Sequence, residues 1–288
     1  MCWTTPRSPS RTRSRCSVPA LAALMNRRLV VKVSTPDGGF AFDNPDYGNG
    51  VYRRRIRLVN SAGQVRAELE DTTHAFRLTL VHALARVTDV VAEPIRYPFN
   101  TCPGAVDQLQ PLLGCHIGAA AGESRRRLDP GQNCTHLYDL ALLALAHARR
   151  DDRERVYDIT VPDEKGSTSR ISVARDGIVI HAWQVDSHCV ASPREFAGQP
   201  LKKGFYHWAS AAFCGDRLEA AQVLQRGYFV AQSRRQDYMN AGGRPATADR
   251  MPDGACYSYN TGVVERAVHT AGMGRDFSNR QDDLLRFI

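Results

Sequence analysis

The chain has 288 residues, 43% of them hydrophobic, with 38 Lys/Arg against 30 Asp/Glu and a formal net charge of +8. That length allows one large domain or two of ordinary size, and no apolar run approaches the ~20 residues that a membrane-spanning helix needs. Residues 1–35 hold seven Lys/Arg and no acid, so the remaining 31 basic residues almost match the 30 acidic ones; the excess charge belongs to the tail, and a basic nucleic-acid-binding face is not expected.

The first 35 residues, Arg- and Ser-rich and without an acid, are expected to form a disordered basic tail. "PDGGFAFDNPDYGNG" (36–50) reads as a loop entering the fold. "VYRRRIRLVN" alternates and predicts a strand. "QVRAELEDTTHAFRLTLVHAL" alternates at Phe76, Leu78 and Leu80, and "RVTDVVAEPIRYPF" is β-branched and strand-like. Short breaks between these runs predict an antiparallel meander. A short helix follows in "PGAVDQLQPLLG", where Pro103 suits the first turn. A second helix is predicted over 135–150, capped by Asn133 or Thr135, with Arg149 and Arg150 at its C-terminal end. The charge cluster "RRDDRER" marks a boundary.

The second half restarts with strands in "VYDITVPDE" and "STSRISVARDGIVIHAWQV", the latter folded at "ARDG", a hairpin signature. "DRLEAAQVLQRGYFVAQSRRQDYMN" predicts a long amphipathic helix and "TGVVERAVHTAGM" a shorter one. The fold class is therefore α+β: an antiparallel β meander followed by helices, and a second β-then-α half packed against it. The organisation expected is a tail (1–35), an α+β subdomain carrying Cys102 and Cys134 (36–150), and a second α+β subdomain (151–288).

Eight cysteines are present, at 2, 16, 102, 115, 134, 189, 214 and 256. In a long chain with no dense cysteine framework, reduced thiols in a cytoplasmic protein are expected. Cys102 stands where a strand hands over to a helix, and Cys134 at the start of the next helix. Helix N-termini present free N–H groups and favour a thiolate. His136 and Asp139 lie three apart and share a helix face there. Asp71 and His74, at the start of a strand, add oxygen and nitrogen donors. Three readings stand: buried structural thiols, a zinc or iron site on Cys102, Cys134, His74 and Asp71, or a cysteine nucleophile with a histidine base. Trp183, Tyr206, Trp208 and Tyr257 are candidate pocket walls. No phosphate-binding loop, dinucleotide fingerprint, H-E-x-x-H or G-x-S-x-G occurs.

"ELEDTTHAFRLTL", "RYPFNTCPGAVDQLQPLLG", "CTHLYDLALLALAHA", "VARDGIVIHAWQV", "KKGFYHW" and "GRDFSNRQDDLL" together resemble an uncharacterised bacterial family, domain of unknown function 2889, over about residues 50–288. That resemblance implies a bacterial cytoplasmic protein of small-molecule, aromatic-compound metabolism. Family members often carry a second histidine after the position of His74; here it is Ala75. The first half is also similar to the iron–sulfur scaffold proteins of the IscU type in its meander and in the stations of "NTCPGA" and "NCTHLYDLA". The first scaffold cysteine has no counterpart, and Asn133 stands where the histidine of the later pair would be.

The function expected is a catabolic enzyme of lyase, decarboxylase or hydrolase type for an aromatic or acyl substrate. Its pocket would use Cys102, Cys134, His74, Asp71 and His136, with or without zinc or iron. The alternative is a non-catalytic metal or iron–sulfur binding protein. The partner expected is a small molecule, with neither nucleic acid nor membrane.

Overall fold

The computed structural model describes residues 44–117 and 126–287; the basic tail lies outside them. Eight antiparallel strands form one continuous sheet. They are β1 (Val51–Ser61), β2 (Gln64–Glu70), β3 (Ala75–Ala83), β4 (Arg86–Arg96), β5 (Glu154–Pro162), β6 (Thr168–Arg175), β7 (Ile178–Asp186) and β8 (Cys189–Ser192), in the spatial order β4-β3-β2-β1-β5-β6-β7-β8. Each half is a meander. The halves join where β1 pairs with β5, from Val51 opposite Pro162 to Val59 opposite Glu154.

Period-two alternation decides which face is covered. Tyr52, Arg54, Ile56 and Leu58 of β1 point into the core, as do Leu78 and Leu80 of β3 and Tyr157, Ile159 and Val161 of β5. The intervening residues, Arg53, Arg55, Arg57 and Arg77 among them, lie on the opposite face. There Glu68 is buried under Arg57, Arg66 and Arg77, which all bond its carboxylate. Hairpin β6–β7 turns at Asp176 and Gly177, with φ of 52° and 80°. Both central residues adopt the left-handed conformation of a type I′ turn, as "ARDG" predicts.

Among the described residues, three whole helices lie on the covered side: α1 (Thr135–His147), α2 (Phe205–Ala212) and α3 (Gly215–Ala231). Helix α1 lies on β1, β2 and β3, and α3 on β5, β6 and β7. The approach of α3 is close: a Cβ at Gly227 would meet Ile159 Cγ2 at 2.6 Å.

Four local expectations are corrected. The stretch "PGAVDQLQPLLG" is a 3-10 helix, Cys102–Leu112, with Pro103 in its first turn; Pro111 inside it has no N–H to donate. Helix α1 stops at His147, three residues short of 150. Its N-cap is Cys134, which makes no side-chain capping bond, and Asn133 donates from Nδ2 to the Asp129 carbonyl rather than capping the helix. The predicted helix in "TGVVERAVHTAGM" is reduced to a 3-10 turn, Val264–Arg266. The backbone beyond it is spent on other segments: Asn100 N–H donates to the Val268 carbonyl, Ala246 N–H to Ala267, and Thr270 N–H to Pro98. A helix cannot form from groups already paired elsewhere.

Candidate functional site

Position 54 sits on the core face of a central strand, where an unpaired charge would cost several kcal/mol. Arg54 is 1% exposed, and its partner Asp71 is fully buried. Arg54 Nη2 donates to Asp71 Oδ2 at 2.7 Å and Nε at 3.1 Å. Tyr52, two residues earlier on the same face, donates its hydroxyl to the same oxygen at 2.7 Å.

Asp71 lies in the turn between β2 and β3. Its other oxygen accepts from the Thr73 and His74 backbone N–H groups, each at 3.0 Å, the self-bonding turn that aspartate favours. The same oxygen meets His74 Nδ1 at 2.9 Å. Helix α1 brings His136 from above. The His74 and His136 rings stack with centroids 3.7 Å apart, and His136 Nε2 lies 2.8 Å from Arg54 Nη2. A guanidinium only donates, so His136 Nε2 accepts and its proton sits on Nδ1.

The electrostatics follow from these contacts. Burial works to raise the Asp71 carboxyl, but His74 and the Arg54 guanidinium outweigh it and hold it well below the usual range. Burial and the neighbouring His74 push His136 well below the ordinary histidine value, so it is neutral at pH 7. Burial raises Tyr52 far above 10, which keeps it a hydroxyl donor. The group is thus one cation, one anion, one neutral imidazole and one phenol, with His74 its most exposed member at 13% of its side chain.

The two cysteines of the sequence argument stand differently. Cys134 Sγ lies 4.0 Å from His136 Nδ1 and so adjoins this group. Cys102 lies with Ser258, at 3.5 Å, in a small second core with Phe99, Tyr259 and Ala267. The thiolates expected at helix starts do not form. Burial pushes the Cys102 thiol up to about 12 and raises Cys134 as well, further helped by Cys102 nearby. Desolvation of a whole thiolate outweighs the partial charge of a helix end. Ligand atoms of Asp71, His74 and His136 lie within 4.8 Å of one another. Among the described residues no ligand cluster that tight includes Cys102 or Cys134. Asp71 and His136 already face the Arg54 guanidinium, which occupies the cation's place. The expected set of Cys102, Cys134, His74 and Asp71 therefore does not fit a metal as arranged.

Beside this network α1 and α3 leave a cavity of about 200 Å3, floored by Ile56 and Arg54. Of the four aromatic residues expected as pocket walls, Tyr206 lines it. Trp183 and Trp208 pack with Phe213 in the core, and Tyr257 covers Gly104. Asp139 faces the cavity rather than the histidines and pairs with Arg226 at 2.9 Å. Sequence reasoning missed Arg54 and Tyr52. The signal was present: in "VYRRRIRLVN" Arg54 shares its strand face with Tyr52, Ile56 and Leu58, so one arginine of the run had to be buried.

No curated protein and no solved structure matches the chain. Residues 55–150 match the model described as "Protein of unknown function (DUF2889)", a stretch that holds Asp71, His74, Cys134 and His136 and begins just after Tyr52 and Arg54.

Proposed function

We propose that the protein is an enzyme acting on a small aromatic or acyl compound, by lyase, decarboxylase or hydrolase chemistry. The carrying observation is a fully buried, hydrogen-bonded ionic network whose arginine floors a cavity. Buried ionisable groups cost stability, and their placement beside a cavity is the pattern of an active site. Arg54 would meet the substrate and stabilise negative charge that develops on its oxygen. Behind it, Asp71 orients His74 through Nδ1, which leaves Nε2 as the basic nitrogen. His74 would take up and return the proton that the chemistry requires, with neutral His136 stacked against it. Thiolate attack is disfavoured: at about 12 for Cys102, roughly one thiol in 10^5 is ionised at pH 7.

The alternative, a non-catalytic metal or iron–sulfur protein, draws on the proximity of Asp71, His74 and His136. It requires Arg54 to leave Asp71. Purified protein should be analysed for zinc and iron, then assayed against aryl carboxylates for CO2 release and against aryl esters for hydrolysis. Under the enzyme reading His74→Ala lowers turnover about 10^2 to 10^4-fold, while Cys102→Ser leaves it within a few-fold. Turnover unchanged in His74→Ala sinks the acid–base reading. Stoichiometric metal, lost in His136→Ala without turnover of either substrate class in the wild type, establishes the alternative.

A further inference from the structure

The cavity between α1 and α3 carries its own chemical signature. Its walls are apolar, with Leu142 and Leu143 from α1 and Val223 from α3. Three guanidiniums reach it, from Arg54, Arg149 and Arg226, against two carboxylates, Asp139 and Glu219. Glu219 is committed outside the cavity: Arg150 Nη2 donates to it at 2.7 Å and the Tyr157 hydroxyl at 2.5 Å. Asp139 pairs with Arg226 at 2.9 Å and also attracts Arg54. Arg54 turns Nε and Nη2 to Asp71, and its Nη1 makes no hydrogen bond among the described residues. Arg149 is exposed at the rim. Arg54 and Arg226 are each ion-paired with one carboxylate, Asp71 and Asp139, so what the apolar space meets is the unused N–H groups of those guanidiniums, with Arg149 at the rim.

Size narrows the ligand further. A dry apolar cavity of about 150 Å3 engineered in another protein accepts benzene. The 200 Å3 here holds one ring or a short acyl chain with one small polar group.

We propose that this cavity binds a small apolar monocarboxylate, its carboxylate held by Arg54 Nη1 and Arg226 and its apolar body by Leu142, Leu143 and Val223. As a substrate class this rests on the enzyme reading above; as a binding site it stands on the cavity and its charge. Two guanidiniums around one carboxylate give charge-assisted hydrogen bonds that a neutral amide cannot match.

Titration calorimetry on the full chain tests it, with benzoate and hexanoate as probes and benzamide as the neutral isostere. The expected result is one-to-one binding of at least one acid, at least tenfold tighter than benzamide. Arg226→Gln should weaken the acid at least tenfold and leave benzamide unchanged. Ala146→Phe, which places a ring in the cavity from α1, should abolish binding while the melting temperature stays near wild type. His74→Ala should bind the acid as wild type does, which separates binding from catalysis: an acid that binds to a protein without turnover supports this site and sinks only the enzyme reading. Failure of both acids to bind, equal affinity for benzoate and benzamide, or undiminished binding in folded Ala146→Phe overturns the proposal.

Discussion

Replacing Arg54 with methionine separates the ionic contribution of the network from its packing. Methionine fills much of the same volume but removes two hydrogen bonds to Asp71 Oδ2 and one to His136 Nε2. Asp71 is then a fully buried carboxylate without its strongest counter-charge. Breaking a buried pair from one side costs about 3–5 kcal/mol, since the remaining charge stays desolvated. Here Asp71 keeps four donors: the Tyr52 hydroxyl, the Thr73 and His74 backbone N–H groups, and His74 Nδ1. The lower end, about 3 kcal/mol, is therefore expected, and at about 2–4 °C per kcal/mol for a domain of this size the melting temperature falls by about 6–12 °C. Urea denaturation of Arg54→Met, Asp71→Asn and the double variant checks the origin of the cost. If the cost is an uncompensated charge, the double variant is less destabilised than the sum of the two singles by at least 1 kcal/mol. A single-variant loss below 1 kcal/mol, or strict additivity, would refute the electrostatic account.

The remaining predictions concern pH, thiols and packing. The His136 pKa is depressed on folding, so the unfolded chain binds the extra proton first, and the stability this gives is lost as pH falls below the unfolded histidine value of about 6.5. His136→Gln should flatten that acid limb between about pH 6.5 and 5, and an unaltered slope in urea midpoints would count against a neutral buried His136. Asp71 adds a second loss, beginning as pH drops below about 3.9. Cys102 and Cys134 should label with a thiol reagent far more slowly than exposed Cys214, and equal rates by mass spectrometry would contradict their burial. Gly227→Ala should destabilise by about 1–2 kcal/mol: helix propensity favours alanine by about 1 kcal/mol, but the clash with Ile159 at 2.6 Å must be relieved by moving α3. A stabilised Gly227→Ala would show that α3 lies further from β5.

Much of the architecture is local in origin and legible in the chain. Alternation in "VYRRRIRLVN" and "VYDITVPDE" places β1 and β5, "ARDG" places the β6–β7 hairpin, and the apolar run after Cys134 places α1. Each is set by side-chain periodicity or turn chemistry within a dozen residues. The pairing of β1 with β5 is different in kind. It joins segments a hundred residues apart, and no local pattern distinguishes one continuous sheet from two smaller ones.

The candidate site divides along the same line. That Asp71, His74 and His136 could act together is readable from residue types near predicted element starts. Which groups meet them is a matter of register. Because β1 presents its even positions to the core, Arg54 rather than Arg53 or Arg55 reaches Asp71, and that choice sets a guanidinium against both Asp71 and His136. Cys102 and Cys134 both open helices, as the chain predicts, yet the tertiary packing buries them, and burial decides that they are thiols. Sequence determined the elements and the supply of reactive groups; only the tertiary structure decided their partners, because charge pairing and desolvation depend on neighbours that are distant along the chain.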